Sequence, residues 1–264
     1  MSNIEKHSPG SFCWFELGTM DSEAAKKFYS SLFGWSSQDF PMGPAGVYTI
    51  FQLNGRDVGA TYTLNQQQRQ MGVPPHWMPY ISVSSADGAA KKIQDLGGQV
   101  FMPPFDVMDK GRMTVATDPA GAHFSIWEPK SSPGTTVTGV NGTACWADLS
   151  TPDADAAKKF YAGLFGWKFK EDTDDDPPSG YIHIQNGEDF IGGIPPASHR
   201  NPNVPPHWLT YFQVDDFDAA SIKAKQLGGK FLMGPMHMEN VGHIAVVADP
   251  QGAVFALFKS TRKQ

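Results

Sequence analysis

The sequence predicts an α+β protein built from four βαβββ modules, two in each half of the chain. Residues 12–35, FCWFELGTMDSEAAKKFYSSLFGW, return at 144–167 as ACWADLSTPDADAAKKFYAGLFGW, with 15 of 24 aligned positions identical at an offset of 132. Further echoes follow in the same order. PPHWMPY from Pro74 returns as PPHWLTY from Pro205, LGG from Leu96 as LGG from Leu227, and DPAGAHFSIW from Asp118 as DPQGAVFALF from Asp249. A period of about 130 residues is too long for a solenoid and matches tandem globular domains. The chain therefore divides into an arm (1–10), a first domain (11–130), a linker (131–141) and a second domain (142–264).

Each domain opens with a short strand, Phe12 to Gly18 or Thr143 to Leu149. A helix follows at once, with Asp21 or Asp153 as N-cap and Gly34 or Gly166 where a C-terminal glycine belongs. Ala24, Ala25, Phe28, Tyr29, Leu32 and Phe33 recur at helical spacing and form one apolar face, as do their counterparts from Ala156 to Phe165. Such aromatics belong to a core. Strand-like runs come next at Val47–Leu53 and Val58–Thr63, and at Tyr181–Gln185 and Phe190–Ile194. The second module starts with a strand at Tyr80–Val83 and a helix at Asp87–Leu96. It closes with strands at Met113–Thr117 and His123–Trp127 around the DPAG turn. Pro129–Gly142, rich in Ser, Thr, Gly and Pro, reads as the connection between domains, and Met1–Gly10 as a loose arm.

Composition narrows the function classes. The net charge of -6 leaves no basic stripe to neutralise phosphates, which argues against nucleic acid. No run of 18 or more apolar residues and no signal-like start is present, so no membrane partner and a cytoplasmic location are expected. The acidic stretch Glu171–Asp176 before Pro177-Pro178 has no counterpart in the first half and reads as a solvated loop. The only cysteines, Cys13 and Cys145, occupy equivalent positions and read as small buried hydrophobes, not a disulfide.

The D-x-x-A-A-K-x-F-Y-x-x-L-F-G-W helix, the L-G-G helix end and the D-P-x-G turn, each present twice, resemble the vicinal oxygen chelate superfamily. That family includes glyoxalase I, bleomycin-resistance proteins and extradiol dioxygenases, and the pattern is similar to its tandem two-domain, glyoxalase-like bacterial members. The resemblance implies that paired modules form a cupped mixed sheet whose concave face holds a ligand. Fold alone does not decide what that ligand is.

In metal-using members, His, Gln or Glu ligands come from the first and last strands of paired modules. Counting from the motifs, those positions fall on Trp14, Met78 and Ser125 in the first domain and Trp146, Leu209 and Ala256 in the second. Indole, thioether, hydroxyl and alkyl groups do not build a zinc or hard-cation shell. No family-type metal is therefore expected. Were the register off by a residue or two, His76, His123, His207 and His243 are the alternative ligands.

If Trp14 and Trp146 face the cups, strand alternation sends Glu16 and Asp148 the same way. These acids either contact a ligand or are structural, bonded within the protein. On the fifth strand His76, Met78 and Tyr80 share a face, as do His207, Leu209 and Tyr211. The intervening Trp77 and Trp208 suit a packing corner between domains. The last strands diverge, with His123 and Ser125 against Val254 and Ala256, and Arg112 stands where the second half has His243. The first cup is therefore expected to be the more polar.

Glu16, His76 and His123 are the candidates for catalysis. Trp14, Tyr80, Arg112, Trp146, Asp148, His207 and Tyr211 are the candidates for ligand contact. The leading reading is a monomer or homodimer that binds a small organic molecule in aromatic-lined cups without the family metal. The alternative is an enzyme, a lyase, reductase or hydroxylase-like protein, acting on a small carbonyl or aromatic substrate. It would use acid–base groups, a borrowed flavin-type cofactor or a nonstandard metal site.

Overall fold

The computed structural model describes residues 4–171 and 179–261. The acidic run expected to be a loop lies outside them apart from Glu171. The first half runs β1 (Phe12–Thr19), α1 (Ser22–Phe33), β2 (Ser36–Pro41), β3 (Val47–Leu53), β4 (Arg56–Thr63) and a short α2 (Gln66–Gln70). It continues through β5 (His76–Ser82), α3 (Ala86–Asp95), β6 (Gln99–Val100), β7 (Phe105–Val107), β8 (Gly111–Thr117) and β9 (His123–Pro129). The second half repeats this with β10 (Ala144–Ser150), α4 (Ala154–Phe165), β11 (Lys168–Glu171), β12 (Ile182–Asn186) and β13 (Asp189–Ile194). Its second module is β14 (His207–Gln213), α5 (Phe217–Gln226), β15 (Lys230–Met238), β16 (Gly242–Ala248) and β17 (Val254–Ser260).

The helix signals act as expected. Asp21 and Asp153 accept hydrogen bonds from the amides of Ala24 and Ala156, and Gly34 and Gly166 close the helices in the left-handed region at φ 75° and 78°. Each half forms one sheet, in the order β2-β3-β4-β1-β5-β9-β8-β6, with β7 also on β8, and β11-β12-β13-β10-β14-β17-β16-β15. The first strands of the two modules lie side by side and antiparallel, β1 on β5 and β10 on β14. Each sheet is thus two modules joined through their first strands.

Helices fill the space between the two sheets. Phe28, Tyr29 and Phe33 of α1 pack on Leu17, Phe51 and Trp77 of their own half, and also on Phe212, Val247 and Phe255 of the other half. Phe160, Tyr161 and Leu164 of α4 mirror this, packing on Leu149, Ile184 and Trp208 of their own half and on Ile81, Phe124 and Ile126 across the interface. Burial of each such aromatic or aliphatic side chain is worth about 1.5–3 kcal/mol. Both cores therefore belong to both halves, and the sheet faces that carry Trp14 and Trp146 turn away from them.

The repeated motifs meet in a hydrogen-bonded clasp between halves. Trp77 Nε1 donates to the Tyr29 hydroxyl (3.0 Å), which donates to Asp249 Oδ2 (3.0 Å). Trp208 Nε1 likewise donates to Tyr161 (3.1 Å), and Tyr161 to Asp118 Oδ2 (3.2 Å). The other oxygen of each aspartate accepts two amides of its own D-P-x-G turn. Trp77 and Trp208 are inter-domain core, as their size predicts. From Ile4 onward the arm is not loose: His7 is buried against Thr135, Gly10 N–H donates to the Ser82 carbonyl, and Trp167 Nε1 donates to the Gly10 carbonyl. Gly10 is the counterpart of Gly142, whose carbonyl takes Trp35 Nε1 in the same way. An indole that would otherwise bury an unpaired N–H holds each segment down.

Candidate functional site

A bulge puts the first-strand tryptophans on the cup face. Phe12 pairs with Ile81 and Trp14 with Tyr80, so Cys13 is the extra residue; Cys145 is extra between Ala144 and Trp146 in the same way. Beyond the bulge the alternation is regular. Trp14, Glu16 and Gly18 stand opposite Tyr80, Met78 and His76. Ser125 follows beside Tyr80, and Val115 beside Ser125. Phe15, Leu17 and Trp77 lie on the opposite face, in the helix-side core. The cup-facing set expected for β1, β5 and β9 is therefore brought together.

Glu16 sits at the centre of a phenol cluster. Tyr48 donates to its Oε2 (2.8 Å) and Tyr80 to its Oε1 (2.9 Å), while Trp14 Nε1 donates to the Tyr48 oxygen (3.1 Å). Burial raises the Glu16 pKa, and the two phenol donors work against that shift. Burial and the adjacent carboxylate push both phenols well above their usual range. Tyr62, across from Tyr48 on β4, is raised to about 12, chiefly by burial.

The imidazoles complete the first cup. His76 Nδ1 lies 2.8 Å from the Pro74 carbonyl, which can only accept, so Nδ1 carries the proton and Nε2 is left as an acceptor. Burial lowers the His76 pKa, and nearby His123 lowers it further. His123, also lowered by burial, stacks on Phe101 with centroids 5.2 Å apart and planes 13° from parallel. Both rings are thus neutral near pH 7. Ser125 is fully buried and its hydroxyl makes no hydrogen bond. Gly18 leaves the space where His76, Tyr62 and Leu64 converge, since any Cβ there would crowd all three.

The second cup repeats the plan with a shorter acid. Asp148, only 5% exposed, accepts from Tyr181 and Trp146 at Oδ1 (2.5 and 3.0 Å) and from Tyr211 at Oδ2 (2.7 Å). Its pKa is raised by burial despite these donors. His207 Nδ1 lies 2.8 Å from the Pro205 carbonyl. His183 packs edge-on against Trp146 and Tyr181, with ring centroids 6.1 and 5.0 Å away. The wall toward β16 and β17 is apolar, with Leu209, Ile244, Val246 and Phe258 packed around Tyr211 and Ala256.

Arg112 does not join the first cup. Along β8 it alternates with cup-facing Met113, and its guanidinium makes a two-pronged bond to Asp87 on α3 (2.9 and 3.0 Å) and a longer one to Asp106 (3.4 Å). Its polar character signalled a site; its strand parity places it on the helix side. Tyr48 and Tyr181, absent from the expected set, are the missed partners. Both fall on strand-like runs, and the acid two residues past each tryptophan was the signal that donors had to be found for it.

The donor chemistry does not fit the family metal. Both oxygens of Glu16 and of Asp148 are held by phenol and indole donors, and His76 and His207 keep only Nε2. Among the described residues no three His, Cys, Asp or Glu side chains come together as ligands. Cys13 and Cys145 are free, their thiols raised by burial, that of Cys145 to about 12, so neither is a thiolate. None of the helices among the described residues is long and apolar enough to cross a membrane.

Comparisons with known proteins agree with this architecture. The family model described as Glyoxalase/Bleomycin resistance protein/Dioxygenase superfamily matches residues 11–126 and again 143–257. CFP32 of Mycobacterium tuberculosis, which carries a provisional glyoxylase name, is 38% identical over the whole of both chains. The anthracycline biosynthesis protein DnrV of Streptomyces peucetius is 34% identical over 96% of this chain and 94% of its own. Among solved structures, the Mn(II)-bound glyoxalase from Novosphingobium aromaticivorans has a TM-score of 0.66 at 14% identity, covering 99% of this chain and 84% of its own. The 2,3-dioxygenase LapB from Pseudomonas sp. KL28 has a TM-score of 0.64 at 14% identity, covering 98% and 93%. The twice-repeated motifs, the paired modules and these matches place the chain in the glyoxalase/bleomycin resistance/dioxygenase superfamily.

Proposed function

We propose that the protein binds a small aromatic organic molecule in the first cup and does so without the family-type metal. The observation that carries this reading is the Glu16–Tyr48–Tyr80 cluster, because an acid held by two phenols is organised for hydrogen bonding and withdrawn from coordination. Trp14, Tyr80 and Trp127 supply flat apolar contact. His76 Nε2, the Ser125 hydroxyl and His123 supply polar contact to ring substituents. Glu16 then acts as a positioning residue. The similarity to a protein of anthracycline biosynthesis supports a fused-ring aromatic ligand.

A second reading, acid–base catalysis on such a molecule, is favoured by one feature. Two neutral imidazoles share the first cup, so His76 can accept a proton at Nε2 while His123 lies close by. Arg112 has no part in either reading. The second cup, with Trp146, His183, His207 and Tyr211 and an apolar wall along β16 and β17, is proposed as subsidiary.

Native mass spectrometry with metal analysis, on untagged protein purified without chelator, tests the proposal. The expected result is a retained organic mass, or an empty chain that takes up an aromatic ligand, with less than stoichiometric metal in the cup. One equivalent of zinc, nickel or iron lost on His76→Ala or His123→Ala would overturn it.

A further inference from the structure

The two halves differ most sharply in chemistry on the helix side of the outer strands. In the first half Arg112 gathers Asp87 and Asp106 around one guanidinium. At an offset of 131 the counterparts are His243, Asp218 and His237. The fixed cation and one of its acids have become two imidazoles, and the acid in the first turn of α5 remains. Asp218 is the sequence counterpart of Asp87, and His243 stands where Arg112 does.

His237 and His243 are directly opposed on the antiparallel pair β15 and β16, so their side chains leave the same face. Their ring centroids are 4.7 Å apart with planes at 55°. Two imidazoles on one metal at about 2.0–2.1 Å, at ligand angles from square to tetrahedral, hold their centroids roughly 4.5–5.2 Å apart. The observed separation falls within that span. Phe217 of α5 lies against His243 at 5.3 Å, which fixes one side of the ring. This face is the helix side, since Ala245 and Val247 on the same strand parity lie in the core beneath the helices, while Ile244 belongs to the cup.

We propose that His237 and His243 together bind a borderline divalent cation of the zinc, nickel and copper class on the outer flank of the second half. Imidazole nitrogen suits these ions, and a pair of such ligands leaves the other positions open to water. The cation restores at this place the positive charge that Arg112 supplies in the first half. Lys259, opposite His243 on β17, is the like charge that faces it and holds the affinity down. The bound ion ties the exposed edge strand β15 to β16 and stabilises the fold by mass action. The site is separate from both cups.

The test uses untagged, full-length protein dialysed against chelator and then titrated with zinc chloride or nickel chloride alone by calorimetry, with a thermal scan at saturation. One ion per chain is expected, with a higher melting temperature. His243→Gln and His237→Gln each weaken binding tenfold or more and abolish the thermal shift, while circular dichroism stays unchanged. Undiminished binding in the double variant His237→Gln/His243→Gln, or no binding at millimolar metal, would overturn the proposal. Binding lost instead with His76→Ala or His123→Ala would place the ion in the first cup, and would also contradict the metal-free reading of that cup.

Discussion

In the first cup the acid is Glu16, its phenol partners are Tyr48 and Tyr80, and its neighbour on the parallel strand is Ala60; in the second these are Asp148, Tyr181, Tyr211 and Gly193. The acid is one methylene shorter in the second cup, so its phenol must come further across the sheet. A methyl group at Gly193 would run into the Tyr181 hydroxyl, and glycine leaves that path open. Acid length and the neighbour's size have changed together between the halves. The lesson is that the acid–phenol contact is what both copies keep, and the flanking residue is adjusted to preserve it.

Four substitutions and a pH series probe this comparison. Gly193→Ala is expected to have the largest effect, lowering stability by about 1–3 kcal/mol through overpacking, whereas Ala60→Gly costs only about 0.5–1 kcal/mol of strand preference. Denaturant melts of both variants check it, and equal losses would break the argument. Tyr48→Phe comes next, at about 1–2 kcal/mol, because it leaves one Glu16 oxygen and the Trp14 N–H without their partner. Tyr181→Phe is expected to cost less, since Asp148 keeps Trp146 and Tyr211. The same melts order the pair.

The pH dependence is the smallest effect. Burial raises Glu16 and Asp148 above their ordinary values, so the folded state binds more protons than the unfolded state between the two. Stability contributed by these acids is therefore highest when they are protonated, and falls as pH rises from the ordinary carboxylate range through the folded value. Asp118 and Asp249, also raised by burial, act in the same direction. Asp148→Asn should flatten the slope in that window without removing it. A slope that steepens would contradict the sign.

The duplication, the capped helices and the cup-facing parity of Trp14, Glu16, His76, Tyr80 and His123 were legible because buried faces impose period and caps impose residue type. The edge strand β2 was not, since all its residues are exposed and no alternation is written into Ser36–Pro41. Tyr48 and Tyr181 escaped because the partner of a buried acid comes from a distant strand, and irregular pairing at Phe51/Gln52 and Ile184/Gln185 offsets the two runs by a residue. Arg112 was misplaced although its parity relative to Met113 was readable. The anchored arm was readable too, since Gly10 precedes β1 as Gly142 precedes β10.

The central claim is that the first cup is the binding cup, and a fluorescence titration tests it most directly. Metal-free protein is titrated with a hydroxyanthraquinone while tryptophan emission is followed, in the wild type and in His123→Ala and Val254→Ala, which alter equivalent positions in the two cups. The account predicts a single site, weakened about tenfold or more by His123→Ala, which corresponds to about 1.4 kcal/mol, and unchanged by Val254→Ala. Equal weakening by both variants, or binding that appears only after a divalent metal is added, would contradict it.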